Sequence, residues 1–241
     1  MSQKIRLDQY LVDFGISLDL TEAKAMIMAN KVLVNDEPID KVGKKIAMNS
    51  IVRIRGKKDY PSRAAYKLIA ALDHFNVILK DKVVLDCGCS HGGFTKVLLE
   101  REVKKVIAVD VAYGIFDLSL RDNPQVELLE RVNIRHLQFK QISQTPDLFV
   151  ADLSFISLRL VLSHLKKIFI SMQGLLLFKP QFEAKPIQLK GGILSDQESR
   201  DNVLQLFLIW LKENDIMLEN QTSNILKGKS GNQEIFLHIH W

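Results

Sequence analysis

Residues 86–94 read DCGCSHGGF, and this stretch decides the fold of the chain. An apolar strand, Lys82–Cys87, is predicted to lead into it, and a helix, Phe94–Arg101, is predicted to follow it. Glycines allow the backbone to turn sharply here and allow a ligand to come close to the N-terminus of the helix. The next predicted strand, Lys105–Asp110, ends in a carboxylate that can accept hydrogen bonds from both hydroxyls of a ribose. The glycine loop and the acidic strand end together fit a site for S-adenosylmethionine or a nicotinamide cofactor, although the glycine spacing differs from the dinucleotide pattern G-x-G-x-x-G; a purely structural strand–turn–helix is the alternative.

Strands and helices alternate along the chain around this loop. Beyond the two strands above, we predict strands at Val126–Leu129, Leu148–Asp152, Leu175–Lys179, Asn220–Leu226 and Glu234–Trp241. Further helices are predicted at Arg63–Phe75, 115–121, 157–169 and 197–214. This order predicts an α/β fold, in which helices cover both faces of a mainly parallel, Rossmann-like sheet. Ligands of such sheets bind beyond the carboxyl ends of the strands.

Composition argues against the membrane-spanning and secreted classes. Of the 241 residues, 47% are hydrophobic and 25% are charged, as in ordinary globular proteins. The most apolar stretch, Val203–Leu211, is about half as long as a helix that spans a bilayer. Met1–Tyr10 alternates charged and apolar residues without a signal-peptide core, and we expect no disulfide between Cys87 and Cys89. The sequence therefore predicts a cytoplasmic protein without a membrane span.

Positive charge is concentrated in the first quarter of the chain. Residues 1–58 contain 11 lysines and arginines against 7 acidic residues, whereas residues 59–241 contain 22 against 21. Nearly all of the net charge of +5 therefore lies in the first segment. A small basic segment beside a nearly neutral larger one indicates either a domain that binds a polyanion such as RNA or simply a soluble basic surface.

The basic segment has the pattern of a small α+β domain. Helices are predicted near Leu7–Phe14 and from Thr21, with Thr21 as the N-cap, and strands at Lys31–Val34 and Ile51–Arg55. The pattern resembles the small RNA-binding domain named after ribosomal protein S-four, on the residues Arg6-Leu7-Asp8, Leu11-Val12, Gly15, Ala23, Ile27, Val32-Leu33-Val34-Asn35 and Val52-Arg53-Ile54. It departs from that domain at Asp19-Leu20, where Ser-Arg is usual, and at Asp36, where glycine is usual.

This resemblance implies contacts between the basic segment and RNA. The candidate RNA-binding residues are Lys4, Arg6, Arg53, Arg55 and Arg63. We predict an RNA-binding domain at residues 1–56, a linker at 57–61, where Pro61 follows a charged stretch without periodicity, and a larger domain at 62–241.

Four charged side chains of the larger domain form a candidate site, three of them at strand ends and one on a helix. Lys67 lies on its first helix, Asp152 and Lys179 end two apolar strands, and Glu234 opens the last strand. Each of them alone is more often a solvated strand end than a catalytic group. Together they indicate a site, because a charge at the end of a buried strand is costly unless it is paired.

With these residues the sequence resembles the TlyA family, whose members are called both haemolysins and ribosomal RNA methyltransferases and have an FtsJ-like catalytic domain. The resemblance covers nearly the whole chain. Its most specific strings are Ser154-Phe155-Ile156-Ser157-Leu158 and Lys179-Pro180-Gln181-Phe182-Glu183. It also includes Asp86 to Thr95, Val109-Asp110-Val111, Glu130-Arg131, Lys190-Gly191-Gly192 and Gly231-Asn232. The departures are Ala64, Cys87, Cys89, His91, Ala112, Ser195 and Lys229.

The family resemblance implies transfer of a methyl group from S-adenosylmethionine to a ribose 2′-hydroxyl of ribosomal RNA, typically of a cytidine. It implies a catalytic tetrad formed by Lys67, Asp152, Lys179 and Glu234. A hydroxyl is a poor nucleophile and needs a base, which would be Lys179. The predicted cofactor-binding residues are Asp86, Gly88, Ser90, Gly92, Gly93, Phe94, Asp110 and Asn133. The resemblance implies no metal, and the partners would be rRNA or ribosomal subunits.

Other functions stay open on the sequence alone. A small-molecule methyltransferase would keep the glycine loop and Asp110 but has no need of a basic domain. A nicotinamide dehydrogenase requires the other glycine spacing and leaves the lysine and acid strand ends unexplained. A non-catalytic RNA-binding or ribosome-assembly protein would use the tetrad for structure alone. A pore-forming haemolysin is suggested by the family's name only, because no membrane-inserting stretch supports it.

Overall fold

The computed structural model describes residues 4–35, 37–48, 50–55, 60–62, 64–184, 189, 194, 196–223 and 234–241. It divides into two compact units, Met1–Arg63 and Ala64–Trp241, which we call the small unit and the large unit. The predicted linker at 57–61 is described only at its last two residues, so the predicted domain limits stay a prediction.

The small unit is built from short helices and strands around one apolar core. Its elements are β1 (Lys4–Arg6), α1 (Leu7–Asp13), α2 (Leu20–Met28), β2 (Val32–Val34), β3 (Glu37–Pro38), β4 (Lys45–Ala47) and β5 (Val52–Ile54). β1 pairs with β4, and β2 lies between β3 and β5, in each case antiparallel. Leu7, Leu11, Ala23 and Ile27 are fully buried between these elements, which explains why both helices are apolar on one side.

The start of α2 differs from the prediction. The N-cap is Asp19, not Thr21, and its side chain accepts a hydrogen bond from the backbone N–H of Glu22 at 2.8 Å. Aspartate caps a helix about as well as serine does, so the departure at Asp19-Leu20 keeps the cap and loses only the arginine. The sequence patterns also miss β1, β3 and β4, because strands of two or three residues are too short to show an alternation.

The large unit contains a seven-stranded sheet with helices. Its elements are α3 (Ala64–Phe75), β6 (Val83–Cys87), α4 (Gly93–Glu100), β7 (Lys105–Asp110), α5 (Leu118–Arg121), β8 (Val126–Glu130), β9 (Leu148–Ala151), α6 (Leu158–Ile168), β10 (Gln173–Phe178), α7 (Pro180–Glu183), α8 (Gln197–Glu213), β11 (Met217–Ser223) and β12 (Ile235–His240). Two single 3₁₀ turns, Ile134–His136 and Phe139–Gln141, lie between β8 and β9. The α/β prediction is confirmed.

Two element boundaries in the large unit correct the sequence prediction. The helix predicted at 115–121 begins only at Leu118, because the Asp117 side chain caps it by accepting from the N–H of Ser119 at 2.8 Å. The strand predicted at Asn220–Leu226 is observed three residues earlier, at Met217–Ser223, and residues 224–226 lie outside the described residues.

The strand order brings several strand ends to one edge of the sheet. The order is β11-β12-β10-β9-β6-β7-β8, with β6 to β10 parallel to one another. From β6 the strands follow one another as β7 and β8 on one side, whereas β9 and β10 lie on the other side. In this class of fold, ligands bind beyond the carboxyl ends of the strands at such a point. β12 runs antiparallel to β10, and its first residue, Ile235, pairs with the last residue of β10, Phe178. The ends of β6, β9 and β10 and the start of β12 therefore meet, and we call this place the carboxyl edge.

Candidate active site

The glycine loop between β6 and α4 takes a path that requires glycine. Gly88 and Gly92 have φ angles of +85° and +90°, in the region that disfavours other residues. A Cβ atom on Gly88 would lie 2.9 Å from the side chain of Leu153, and one on Gly92 would lie 2.5 Å from the side chain of Leu120. The loop is thus tightly packed on the sides that face Leu153 and Leu120. Between the two glycines, Ser90 also has a positive φ, of +48°.

Asp110, at the end of β7, holds the glycine loop. Its Oδ2 accepts a hydrogen bond from the N–H of Ser90 and its Oδ1 accepts one from the N–H of Ala112, both at 2.8 Å. An ionised carboxylate has about four acceptor positions, so about two remain for other donors. The predicted role of Asp110 as a ribose acceptor therefore stays sterically and chemically open, beside a role in shaping the loop.

Asp86 is a fully buried carboxylate beneath this loop. Its Oδ2 accepts a hydrogen bond from the Thr95 hydroxyl at 2.7 Å, while its Oδ1 has no hydrogen-bond partner among the described residues. Burial raises the pKa of Asp86 to about 7, although the Thr95 hydrogen bond opposes the shift. A buried, half-satisfied carboxylate calls for a partner, and the cationic groups of S-adenosylmethionine are of the matching charge.

The remaining predicted cofactor residues differ in what their side chains can do. Gly93 is the first residue of α4 and is buried. Phe94 is only 3% exposed and stacks on Phe236, with ring centroids 6.3 Å apart, so its side chain belongs to the core. Asn133 accepts a hydrogen bond from the N–H of Arg135 at 3.1 Å and caps a 3₁₀ turn. The Phe94 side chain and the Asn133 oxygen are thus already used for structure.

Lys179 and Asp152 form an ion pair at the carboxyl edge. They follow the neighbouring parallel strands β10 and β9, and Lys179 Nζ lies 2.6 Å from Asp152 Oδ1. Lys179 Nζ also donates a hydrogen bond to the Ser154 hydroxyl at 3.2 Å. Their side chains are only 9% and 17% exposed, so the pair is largely removed from water. Two of the tetrahedral directions of the amine nitrogen are used by these contacts.

Lys67 and Glu234 form a second ion pair at the same edge. Lys67 projects from α3, and its Nζ lies 2.5 Å from Glu234 Oε2. Glu234 is buried and directly precedes β12, whose first residue pairs with the residue before Lys179. The four residues of the predicted tetrad are therefore gathered at one edge of the sheet as two lysine–carboxylate pairs.

An exposed aromatic residue lies beside the first pair, and the sequence analysis assigned it no role. Phe155 has a φ of +61°, unusual for a bulky residue, and its side chain is 92% exposed. Its ring centroid lies 5.2 Å from that of Phe182, which follows Lys179 by three residues. In the sequence, Phe155 is marked only by its place inside the string Ser154–Leu158. No sequence pattern predicts that its backbone is strained or that its side chain is exposed.

The cysteines of the loop do not form a reactive or metal-binding group. Cys87 and Cys89 are free and buried, and burial raises the pKa of both thiols. Within the described ranges, no group of three or more histidine, cysteine, aspartate or glutamate side chains is arranged to hold a metal ion. Among the same residues, no helix is both long and apolar enough to cross a bilayer.

The predicted RNA-binding residues of the small unit lie on the exposed sides of its strands. Lys4 and Arg6 belong to β1, Arg53 belongs to β5, and Arg55 follows it, all with exposed side chains. Arg6 also donates two hydrogen bonds to Asp8, at 3.0 and 2.7 Å. These bonds hold the pKa of the buried Asp8 below its usual range, so Arg6 has a structural task as well. Arg63 lies outside the described residues.

The chain is similar to known proteins in sequence and in structure. The model of the FtsJ-like methyltransferase family matches residues 60–240. The 16S/23S rRNA (cytidine-2'-O)-methyltransferase TlyA of Mycobacterium tuberculosis is 35% identical over 99% of this chain and 91% of its own length. Hemolysin A of Brachyspira hyodysenteriae is 31% identical over 98% of this chain and 99% of its own. A solved structure named "Putative hemolysin", from Streptococcus thermophilus, is 32% identical, covers 100% of this chain and 89% of that one, and has a TM-score of 0.77. The chain therefore belongs to the TlyA family of FtsJ-like methyltransferases.

Proposed function

We propose that this protein transfers a methyl group from S-adenosylmethionine to the 2′-hydroxyl of a cytidine in ribosomal RNA. The observation that carries the proposal is the pair of buried lysine–carboxylate contacts, Lys179–Asp152 and Lys67–Glu234, at the carboxyl edge. Buried ion pairs contribute little net stability, so their presence at a ligand edge favours a chemical role. An rRNA substrate would place the enzyme in the cytoplasm, where ribosomes are assembled.

The residues that would hold S-adenosylmethionine surround the glycine loop. The glycine loop leads directly into the N-terminus of α4, over which the ligand would lie. Asp110 would accept hydrogen bonds from the ribose hydroxyls, and Asp86, with its unsatisfied oxygen, would face the positive charge of the donor. When bound, S-adenosylmethionine supplies the methyl group as an electrophile on a sulfonium centre.

Lys179 would act as the base on the ribose 2′-hydroxyl. The ammonium of the Lys179–Asp152 pair would first have to release a proton to solvent, and the neutral amine then has two N–H donors and one lone pair. The contacts with Asp152 and Ser154 engage both donors, which directs the lone pair to the third position of the nitrogen. The lone pair would take the proton of the hydroxyl as the hydroxyl oxygen bonds to the methyl carbon, the carbon–sulfur bond would break, and the sulfur would leave as a neutral thioether. A general base of this kind contributes about 10²–10⁴-fold to the rate.

Lys67 and Glu234 would fix the other side of the reacting groups. Their contact ties α3 to the start of β12, directly beside Lys179 in the sheet register. Fixed side chains of this kind would help to orient the hydroxyl toward the methyl donor, and such orientation supplies much of an enzyme's rate enhancement. A purely structural role would leave unexplained why two separate pairs are buried at the edge where ligands bind.

RNA would be held by two features of different kinds. Basic side chains on β1 and β5 of the small unit would contact phosphates, which bind without regard to sequence. At the carboxyl edge, Phe155 offers an exposed ring beside Lys179, and RNA bases commonly stack on such rings. Together these features favour RNA over a small molecule as the methyl acceptor.

Incubation of the full chain with S-adenosylmethionine and unmethylated rRNA tests the proposal. Complete digestion of the RNA followed by mass spectrometry of the nucleosides should detect 2′-O-methylcytidine. A reaction without the donor is the control. Methylation on a base, or no methylation of rRNA by a protein that binds the donor, would refute the proposed reaction.

A further inference from the structure

Glu183 is a buried carboxylate that the proposed reaction does not use. It is the last residue of α7, four positions after Lys179, and its side chain is only 2% exposed. Its Oε2 accepts a hydrogen bond from the Ser157 hydroxyl at 2.6 Å, and its Oε1 accepts one from the backbone N–H of Leu158 at 2.5 Å. A buried acid is costly, so a role for these bonds is expected.

The two bonds connect the loops that carry the first ion pair. Ser157 and Leu158 close the loop 152–157, which begins with Asp152 and leads into α6. Glu183 closes the segment that begins with Lys179. The same two segments meet at four places: Lys179–Asp152, Lys179–Ser154, Phe155–Phe182 and the bonds of Glu183.

The loop 152–157 contains a conformation that its own residues do not favour. Phe155 has a φ of +61° and exposes 92% of its side chain, so neither local preference nor burial of the ring holds it there. Such conformations persist only when the surrounding structure fixes them. At the far end of this loop, the described hydrogen bonds to another segment are those with Glu183, and Ile156 and Leu158 also pack against the apolar core.

We propose that Glu183 is a positioning residue for methyl transfer, which anchors the loop 152–157 so that Asp152 meets Lys179 and Phe155 stays exposed. The inference rests on the proposed function. Neither hydrogen bond of Glu183 is to the reacting groups, so the anchor acts through geometry. Arg159 Nε, 3.9 Å from Glu183 Oε2, adds an attraction that Glu183→Gln would lose while keeping the two hydrogen bonds. Burial raises the pKa of Glu183, which is consistent with a site that tolerates a neutral side chain.

The chemistry of the anchor predicts a distinct pattern among variants. In Glu183→Gln the amide oxygen can accept from Leu158 N–H while the amide nitrogen donates to the Ser157 oxygen, so both bonds can be kept. Glu183→Ala loses both bonds. Ser157→Ala loses one of them and also the N-cap bond that the Ser157 oxygen accepts from Arg159 N–H at 3.2 Å, so it should lower the melting temperature as well. Since Ser157 affects methyl transfer through Glu183 in this scheme, the transfer rate of the folded double variant should be no lower than that of Glu183→Ala.

Single-turnover methyl transfer at saturating donor and RNA is the main measurement, with donor affinity and melting temperature measured in parallel. We expect Glu183→Ala to be slowed by about 100-fold, as for a misplaced reacting group, with donor affinity unchanged. Glu183→Gln should stay within roughly threefold of the wild type and Ser157→Ala should fall between. The matched control is Asp147→Ala, because Asp147 makes the same kind of bond, to Val83 N–H at 2.7 Å, at the opposite end of β9. It should keep the wild-type rate.

A second measurement does not depend on activity. In protein labelled with 4-fluorophenylalanine, the ¹⁹F signal lost in Phe155→Leu identifies residue 155. This signal should shift in Glu183→Ala and stay in place in Glu183→Gln and Asp147→Ala. If the wild type itself transfers no methyl group, the proposed function is wrong, but this signal still shows whether Glu183 positions Phe155.

Three results would overturn the inference. They are a wild-type transfer rate in folded Glu183→Ala, an unmoved Phe155 signal in that variant, and a Glu183→Gln variant as slow as Glu183→Ala. Should Glu183→Ala fail to fold, Ser157→Ala takes its place, and a wild-type rate and an unmoved signal there would equally contradict the anchor.

Discussion

The two units of the molecule use basic residues in opposite ways. In the large unit, Lys179 and Lys67 are 9% and 13% exposed and each lies within 2.6 Å of a carboxylate. In the small unit, Lys4, Arg53 and Arg55 lie on exposed strand faces, and the segment 1–58 carries a net charge of +4. Buried and paired charges have fixed positions, which chemistry needs, whereas exposed charges act over distance on a polyanion. From this contrast we propose that the large unit carries out the reaction and that the small unit supplies most of the RNA affinity.

A basic residue of the small unit can also have a structural partner, as Arg6 does. It lies on an exposed strand face of the small unit, yet its guanidinium makes two hydrogen bonds to the buried Asp8. Its side chain remains 55% exposed, so it can still contact a phosphate with its outer atoms. The role of a basic residue is therefore inferred from its partners and its burial, and we expect Arg6 both to hold Asp8 and to contact RNA.

The largest expected effect is the loss of methyl transfer in Lys179→Ala. Removing the base should lower the single-turnover rate by at least about 100-fold, while donor affinity stays unchanged, because Lys179 faces the acceptor. The matched control is Lys167→Ala, an exposed lysine on α6, which should react like the wild type. Transfer by Lys179→Ala at close to the wild-type rate would show that orientation alone activates the hydroxyl.

Removal of residues 1–58 should reduce rRNA affinity on the order of 100-fold at low salt, because the surplus of positive charge lies there. The remaining binding should depend less steeply on salt, since each lost phosphate contact removes about 0.7–0.9 from the slope of log K against log salt. Fluorescence anisotropy on an rRNA fragment at several salt concentrations measures both. Donor binding by the shortened protein is the control for folding. Equal affinity and equal slope would place RNA recognition on the large unit.

Asp110→Ala should weaken binding of S-adenosylmethionine by about 1–3 kcal/mol, the cost of losing hydrogen bonds to a charged group. The loss has two sources, since Asp110 also holds Ser90 and Ala112. Isothermal calorimetry measures the affinity, and Asp147→Ala serves as the carboxylate control away from the loop. Unchanged affinity in folded Asp110→Ala would reject the placement of the donor.

A smaller effect, dependent on pH, is expected from Asp86. Its pKa of about 7 lies above that of an unfolded aspartate, so between about pH 4 and 7 the folded protein holds a proton that the unfolded chain has lost. Stability from this group therefore falls as the pH rises through that window. Donor affinity should rise instead, roughly tenfold from pH 6 to 8, as the carboxylate becomes charged. Asp86→Asn should flatten both trends, and an unchanged slope in calorimetry would contradict the pairing with the donor.

Sequence patterns predict the large unit better than its site. The strand Lys105–Asp110 is confirmed to the residue, because a buried parallel strand is apolar along its whole length. The tetrad residues could be named from their strings, but not which lysine pairs with which carboxylate, since Glu234 reaches the edge only through the antiparallel pairing of β12 with β10. Phe155 and Glu183 lie in the two most specific strings, but the sequence gives neither of them a role, because burial and backbone strain depend on tertiary packing. In the small unit, the cap at Asp19 was missed because Thr21 is also a good capping residue.

The division of labour between the two units is tested most directly by transfer rates measured against RNA concentration. Single-turnover rates would be compared for the wild type, Lys179→Ala and the double variant Arg53→Ala/Arg55→Ala. A second double variant, Lys80→Ala/Lys82→Ala, removes the same charge just before β6 as a control. We expect the arginine variant to need a higher RNA concentration for its half-maximal transfer rate but to reach the maximal rate of the wild type. Lys179→Ala should stay inactive at every RNA concentration. A lowered maximum in the arginine variant, or recovery of Lys179→Ala at high RNA, would contradict the assignment.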